Sequence, residues 1–102
     1  MRLTIIRADN AVYIDGKMFE IDCSGIDQSL HAVQWHDVSG WKEFVQPFTG
    51  EAILNESISS IDEFQSIIDA WYFLKQKEND AIAAKEAAKS AAEQQQAQVV
   101  TP

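Results

Sequence analysis

The chain is 102 residues long, with sixteen acidic side chains against eight basic ones, a net charge of −8 and an isoelectric point near 4.5. That length leaves room for one domain. The charge disfavours nucleic acid and anionic membranes as partners, because binding either depends on clustered Lys and Arg, and here the eight are scattered.

From the N-terminus, the apolar run that opens the chain stops at Arg7 and Asp9, short of a signal segment. The sequence up to Ser60 reads as a meander of about five short strands. Residues 3–7 are β-branched and compact, Ala8-Asp9-Asn10 makes a turn, and residues 11–15 form a second strand. Asp15-Gly16 between two apolar runs predicts a tight hairpin, since Gly tolerates positive φ, and residues 18–22 return. Residues 23–29 read as a loop. Residues 30–36 and 41–45 are two further strands joined across Asp37-Val38-Ser39-Gly40. Pro47-Phe48-Thr49-Gly50 closes the sheet, and residues 51–59 look irregular.

After Ser60 there is no Gly, no Pro before the last residue, and rising Ala, Glu, Lys and Gln. Ser60-Ile61-Asp62-Glu63 fits a capping box, in which the Ser hydroxyl and the Glu carboxylate satisfy orphan amides reciprocally. Ile61, Phe64, Ile67, Ile68, Trp71 and Leu74 recur at spacings of three and four, one apolar stripe of a helix. Beyond Asn79 helix propensity stays high, but the apolar content is only Ala and Ile82 until Val99. A helix from 60 to about 95 is roughly 50 Å long at ~1.5 Å per residue, more than so small a sheet covers. The expected organisation is a β-rich part at 1–59, a helix at 60–98 and a frayed tail at 99–102. Within the helix, 60–75 packs on the sheet and 76–98 projects. Phe64, Ile67, Trp71, Leu74, Glu78, Ala81, Lys85, Ala88 and Ala92 keep the alternation of a coiled-coil seam, interrupted by Glu78 and Lys85. A seam with copies of itself, making a homo-oligomer, or with a partner chain is one reading, and a solvated lone helix is the other.

Little in the chain suggests catalysis or a cofactor. His31 and His36, the only histidines, are five residues apart on one predicted strand and so face opposite ways, which argues against a shared metal. Cys23 has no second cysteine, which excludes an internal disulfide and fits a reducing compartment. Nothing beside it marks an activated thiol, and the plain reading is a small, half-buried residue. Asp22 and Asp27 lack the dense ligand spacing of a calcium loop. A hydrolase built on Asp22 or Asp37 is the weakest class, because a sheet this small rarely offers a cleft between two acids. No enzyme activity, cofactor or metal is expected. No stretch approaches the ~18 apolar residues that span a bilayer.

The aromatics carry the positive signal. Trp35 shares a predicted strand face with His31 and Val33, and Trp41 falls just past the turn as its cross-strand neighbour. Packing between sheet and helix accounts for these rings. The functional reading makes Trp35 and Trp41, with Tyr72, Glu78, Ala81, Ile82, Lys85 and Ala88 on the helix, contacts for a protein partner.

Leu3-Thr4-Ile5-Ile6, Val12-Tyr13-Ile14-Asp15-Gly16, His31-Ala32-Val33-Gln34-Trp35 and Gly40-Trp41-Lys42-Glu43-Phe44 resemble a group of small bacteriophage proteins encoded in tail and tail-fibre regions. Asn55-Glu56-Ser57-Ile58, leading into a helix with Trp71, is similar to them too, and the likeness covers most of residues 3–74. None of these motifs is catalytic. The resemblance implies a virion component of the tail, made in the host cytoplasm. The alternative it implies is a tail-fibre assembly chaperone that binds fibre chains transiently. The fold expected is α+β: a small antiparallel meander packed against the first half of a long C-terminal helix that projects from it.

Overall fold

The computed structural model describes residues 1–100, with side chains through residue 92. The fold is α+β, a six-stranded antiparallel sheet followed by one long helix. The strands are β1 (Arg2–Ile6), β2 (Ala11–Ile14), β3 (Lys17–Glu20), β4 (Leu30–His36), β5 (Ser39–Val45) and β6 (Ala52–Ile58). Their order in space is β3-β2-β1-β4-β5-β6. Two three-stranded meanders therefore join where β1 pairs with β4, and the strand that opens the chain lies at the centre of the sheet.

Local chemistry sets the turns. Asp15 and Gly16 have φ of 49° and 87°, the two positive values that a twisted two-residue hairpin requires. Asn10, at φ 50°, ends a 3-10 turn over Arg7–Asp9, and its Oδ1 accepts a 2.9 Å bond from the Cys23 amide. The loop after β3 is thereby tied back to the β1–β2 connection. Arg7 Nε, which donates to the Ile26 carbonyl at 2.9 Å, ties it a second time.

Register divides the sheet into two faces. On one, Lys17, Ile14, Leu3, Trp35, Gly40 and Ile58 form a cross-strand row, and Phe19, Val12, Ile5, Val33, Lys42 and Glu56 form the next. Leu3, Ile5, Val12, Ile14 and Val33 are almost wholly buried, which makes this face the core. Phe64, Ile68 and Trp71 cover it. Trp71 meets Phe19 edge to face, with centroids 5.4 Å apart, and donates its indole N–H to the Lys17 carbonyl at 3.0 Å. The neighbouring Phe64 lies by Lys42 of β5. The first turns of the helix thus cross the strands from the β5 side to β3.

The chain falls into two compact units, Met1–Trp71 and residues 72 onward. The division lies inside the helix, because Phe64, Ile68 and Trp71 belong to the core of the first unit. Twelve of the sixteen acids but only four of the eight basic residues lie in Met1–Trp71. That unit carries the whole net charge of −8, and the sequence after it is neutral.

Four expectations need correction. Residues 51–59 are not irregular: residues 52–58 make a sixth strand, bulged by one extra residue opposite Lys42 and Phe44. The turn between β4 and β5 is two residues long, Asp37-Val38, with Ser39 and Gly40 already in β5. Ser60 accepts from the Asp62 amide at 3.1 Å, but no capping box forms, because Glu63 turns to Lys42 instead. Helix α1 runs Gln65–Val100 after a 3-10 turn over Asp62–Phe64, so it takes in Val99 and Val100 of the expected tail. Thr101 and Pro102 lie outside the described residues.

Candidate interaction surface

The face of the sheet opposite the core is the most distinctive surface of the first unit. Pairing brings Met18, Tyr13, Thr4, Gln34, Trp41 and Ser57 into one row across all six strands. With neighbouring strands ~4.8 Å apart, the stretch from Met18 to Trp41 spans roughly 19 Å. Met18 and Trp41 are each 44% exposed and Tyr13 is 37% exposed. Large apolar side chains thus stand in water at both ends of a polar centre, where Thr4 Oγ1 donates to Gln34 Oε1 at 2.9 Å. The Trp41 indole N–H donates to Glu43 Oε2 at 2.9 Å, which holds the ring along its own strand.

The flanking rows frame this one. Glu20, Ala11, Ile6, Ala32 and Glu43 line one side, with the two alanines buried and an acid at each end. Arg2, His36 and Ser39 line the other. The surface therefore carries exposed apolar side chains on either side of a satisfied polar centre, with charged residues at its margins, a mixed composition of the kind that protein-contact surfaces have.

Trp35 does not belong to it. At 7% exposure it sits in the core row, paired with Gly40, whereas Trp41 pairs with Gln34 on the opposite face. The two tryptophans are not cross-strand neighbours, and Trp35 is removed from the partner-contact set. His31 is exposed while Val33 and Trp35 are buried, because the register shifts between Leu30 and Ala32. A bulge there takes His31 off the face it was expected to share.

On the helix, Tyr72 and Ile82 are each 49% exposed, and Ala81, Lys85 and Ala88 are exposed as well. Glu78 is half-buried beside Lys75, with N–O at 3.4 Å. Phe73, 65% exposed, was missed, since it falls off the spacing of the stripe.

The candidate acids and the thiol are engaged locally. Asp22 Oδ1 accepts from the Ser24 amide, and Asp27 Oδ1 accepts from the Ser29 amide and hydroxyl. These hydrogen bonds hold both carboxyls below their usual range. Both residues line a cavity of about 500 Å3 with Leu30, Lys42, Glu63 and Phe64. Asp37 bonds the Met1 ammonium at 2.6 Å, and this holds its carboxyl below the usual range. Cys23, expected half-buried, is 1% exposed, and burial pushes its thiol up. Among the described residues no three His, Cys, Asp or Glu side chains are grouped to hold a metal ion. No helix among them is long and apolar enough to cross a membrane. Compared with known protein families, characterised proteins and solved structures, the chain matches none.

Proposed function

We propose that this chain is a non-enzymatic, tail-associated structural or adaptor protein of a bacteriophage, working through protein–protein contacts. The observation that carries the reading is the exposed row from Met18 to Trp41 on a sheet whose other face is already covered. An aromatic and a thioether at the ends of a satisfied polar centre supply contact area at low entropy cost, as interface anchors do. The sheet unit would attach to tail or tail-fibre proteins by this face. The helix beyond Trp71, neutral and rich in Ala, would set copy number by pairing with other copies of itself.

Mass spectrometry of purified particles tests the reading. A structural role requires the chain at fixed stoichiometry in finished particles. Presence in the lysate with absence from particles would favour the assembly chaperone, which uses the same surface transiently. A Met18→Glu, Trp41→Ala variant, altered only on the open face, should fold normally yet lose incorporation. Normal incorporation would remove this face from the proposal.

A further inference from the structure

The two edges of the sheet are built differently. On one side β3 is four residues long and begins with Lys17, whose carbonyl bonds the Trp71 indole and whose ammonium lies over Phe19. A short strand with a lysine is a protected edge. On the other side β6 is seven residues long, and every position from Ala52 to Ser57 is exposed. Leu54 is 91% exposed, and Phe48, in the turn that leads into β6, is 99% exposed. Neither Pro nor any Lys or Arg occurs in β6. An unpaired edge of this kind presents a row of backbone donors and acceptors to any extended chain.

The charge around this edge selects what can pair with it. Residues 46–61 contain Glu51 and Glu56 and no basic residue, in a unit whose net charge is −8. A second copy would bring two such acidic edges together. The bulge in β6 also breaks the flat, symmetric register that self-pairing favours. The acids attract a cationic strand instead, and a short segment needs only the regular stretches that the bulge leaves on either side of it. We propose that β6 is a docking edge that takes an extended segment of another polypeptide in which Lys or Arg alternates with apolar residues. Main-chain bonds would supply the pairing, Glu51 and Glu56 the selectivity, and Ile53 and Leu54 apolar contact. This goes beyond the open-face reading and does not depend on it.

The test uses the full chain and two synthetic heptapeptides, one alternating Lys with Val and one alternating Glu with Val. Binding is followed by amide hydrogen exchange and backbone NMR shifts. The basic peptide should slow exchange of the amides in residues 52–58 and shift their signals. The acidic peptide should bind at least about tenfold more weakly. A Glu51→Lys, Glu56→Gln variant should narrow or reverse that preference. Should the variant fail to fold, the contrast between the two peptides on the natural chain still decides. Equal binding of both peptides, no binding, or protection mapping to β3 or the open face overturns the proposal. So does a dimer in sedimentation that Leu54→Lys dissolves, since the edge would then belong to a second copy. Failure of the peptides alongside lost incorporation of the open-face variant would withdraw the edge alone.

Discussion

Lys42 on β5 and Glu63 at the start of the helix form an ion pair at 2.5 Å, with the Lys42 side chain only 16% exposed and its ammonium 5.8 Å from the Phe64 ring centre. This contact diverts Glu63 from the helix cap that its spacing from Ser60 implies. A capping carboxylate would satisfy one amide near the helix start, whereas here it neutralises a lysine that stands on the core face of the sheet. The half-shielded lysine is the more costly group to leave unpaired.

Glu63→Gln should therefore lower stability, but by no more than about 1 kcal/mol, because Glu63 itself is half exposed and solvent screens the pair. Lys42→Ala should cost more, since the aliphatic stem that shields the core face goes with the charge. Urea denaturation of the two variants at low and high salt checks both. The Glu63→Gln loss should shrink with salt, and the packing part of the Lys42→Ala loss should not.

Trp71→Ala removes the largest side chain of the helix from the core face and leaves the Lys17 carbonyl without its indole donor. A loss of about 3–5 kcal/mol is expected. Trp71→Phe keeps most of the packing and deletes the hydrogen bond, for about 1 kcal/mol. A loss for Trp71→Ala below about 1 kcal/mol in equilibrium unfolding would contradict the covering role of the helix.

Gly40→Ala should be among the most damaging small substitutions in the chain. A Cβ at this position would lie 2.0 Å from the Gln34 carbonyl oxygen and 2.8 Å from the Trp35 Cα, both backbone atoms of β4. Neither atom moves aside without parting β4 from β5. Thermal unfolding should show a large drop in Tm or no cooperative transition at all. The equivalent change at Gly25, where nothing lies within 4 Å, should be nearly silent.

The turn next to Gly40 bears on the reading of the aromatics as well. A four-residue turn over 37–40 would set Trp41 opposite His36, already on the face that Trp35 does not share. Asp37 instead takes a φ of 56°, the turn closes in two residues, and His36 pairs with Ser39. The register thereby moves by two residues, and with a side-chain period of two the faces stay as they were: Trp35 and Trp41 stand on opposite faces under either turn, a parity that their closeness in sequence hides. Elements with strong local chemistry were legible: the Asp15-Gly16 hairpin, the β-branched central strands, and the helix stripe of Phe64, Ile68 and Trp71. β6 was not, because Ala-Ile-Leu-Asn-Glu-Ser-Ile shows no alternation. An edge strand exposed on almost every residue needs none. The open-face row was hidden for a related reason, since it exists only through pairings among six strands and leaves no pattern within one.

The loop between β3 and β4 should loosen only in acid. Backbone amides of Ser24 and Ser29 hold the Asp22 and Asp27 carboxyls below their usual value of 3.8, with the serine side chains adding to the effect. A carboxyl whose folded pKa is lowered contributes stability above its unfolded pKa and loses it as pH falls through the folded value. The Ser24 and Ser29 amide signals should therefore hold constant from neutral pH to about 4 and move only below 3.8. Asp27→Asn should abolish the Ser29 step and leave that of Ser24.

Truncation after residue 78 separates the two candidate contact surfaces. The negative charge resides on Met1–Trp71, so bringing two sheet units together is opposed, while the neutral helix beyond them meets no such resistance. Small alanines allow close approach of backbones, and Ile82 offers apolar area to a second copy. Removing residues 79–102 keeps Phe64, Ile68 and Trp71, and with them the cover of the core face. Circular dichroism should then show a cooperative, folded sheet unit with less helix, and sedimentation should show a mass reduced to that of a monomer. A truncated chain that still self-associates would move the contact into Met1–Trp71, against its own charge. That outcome would leave the helix no part in setting copy number.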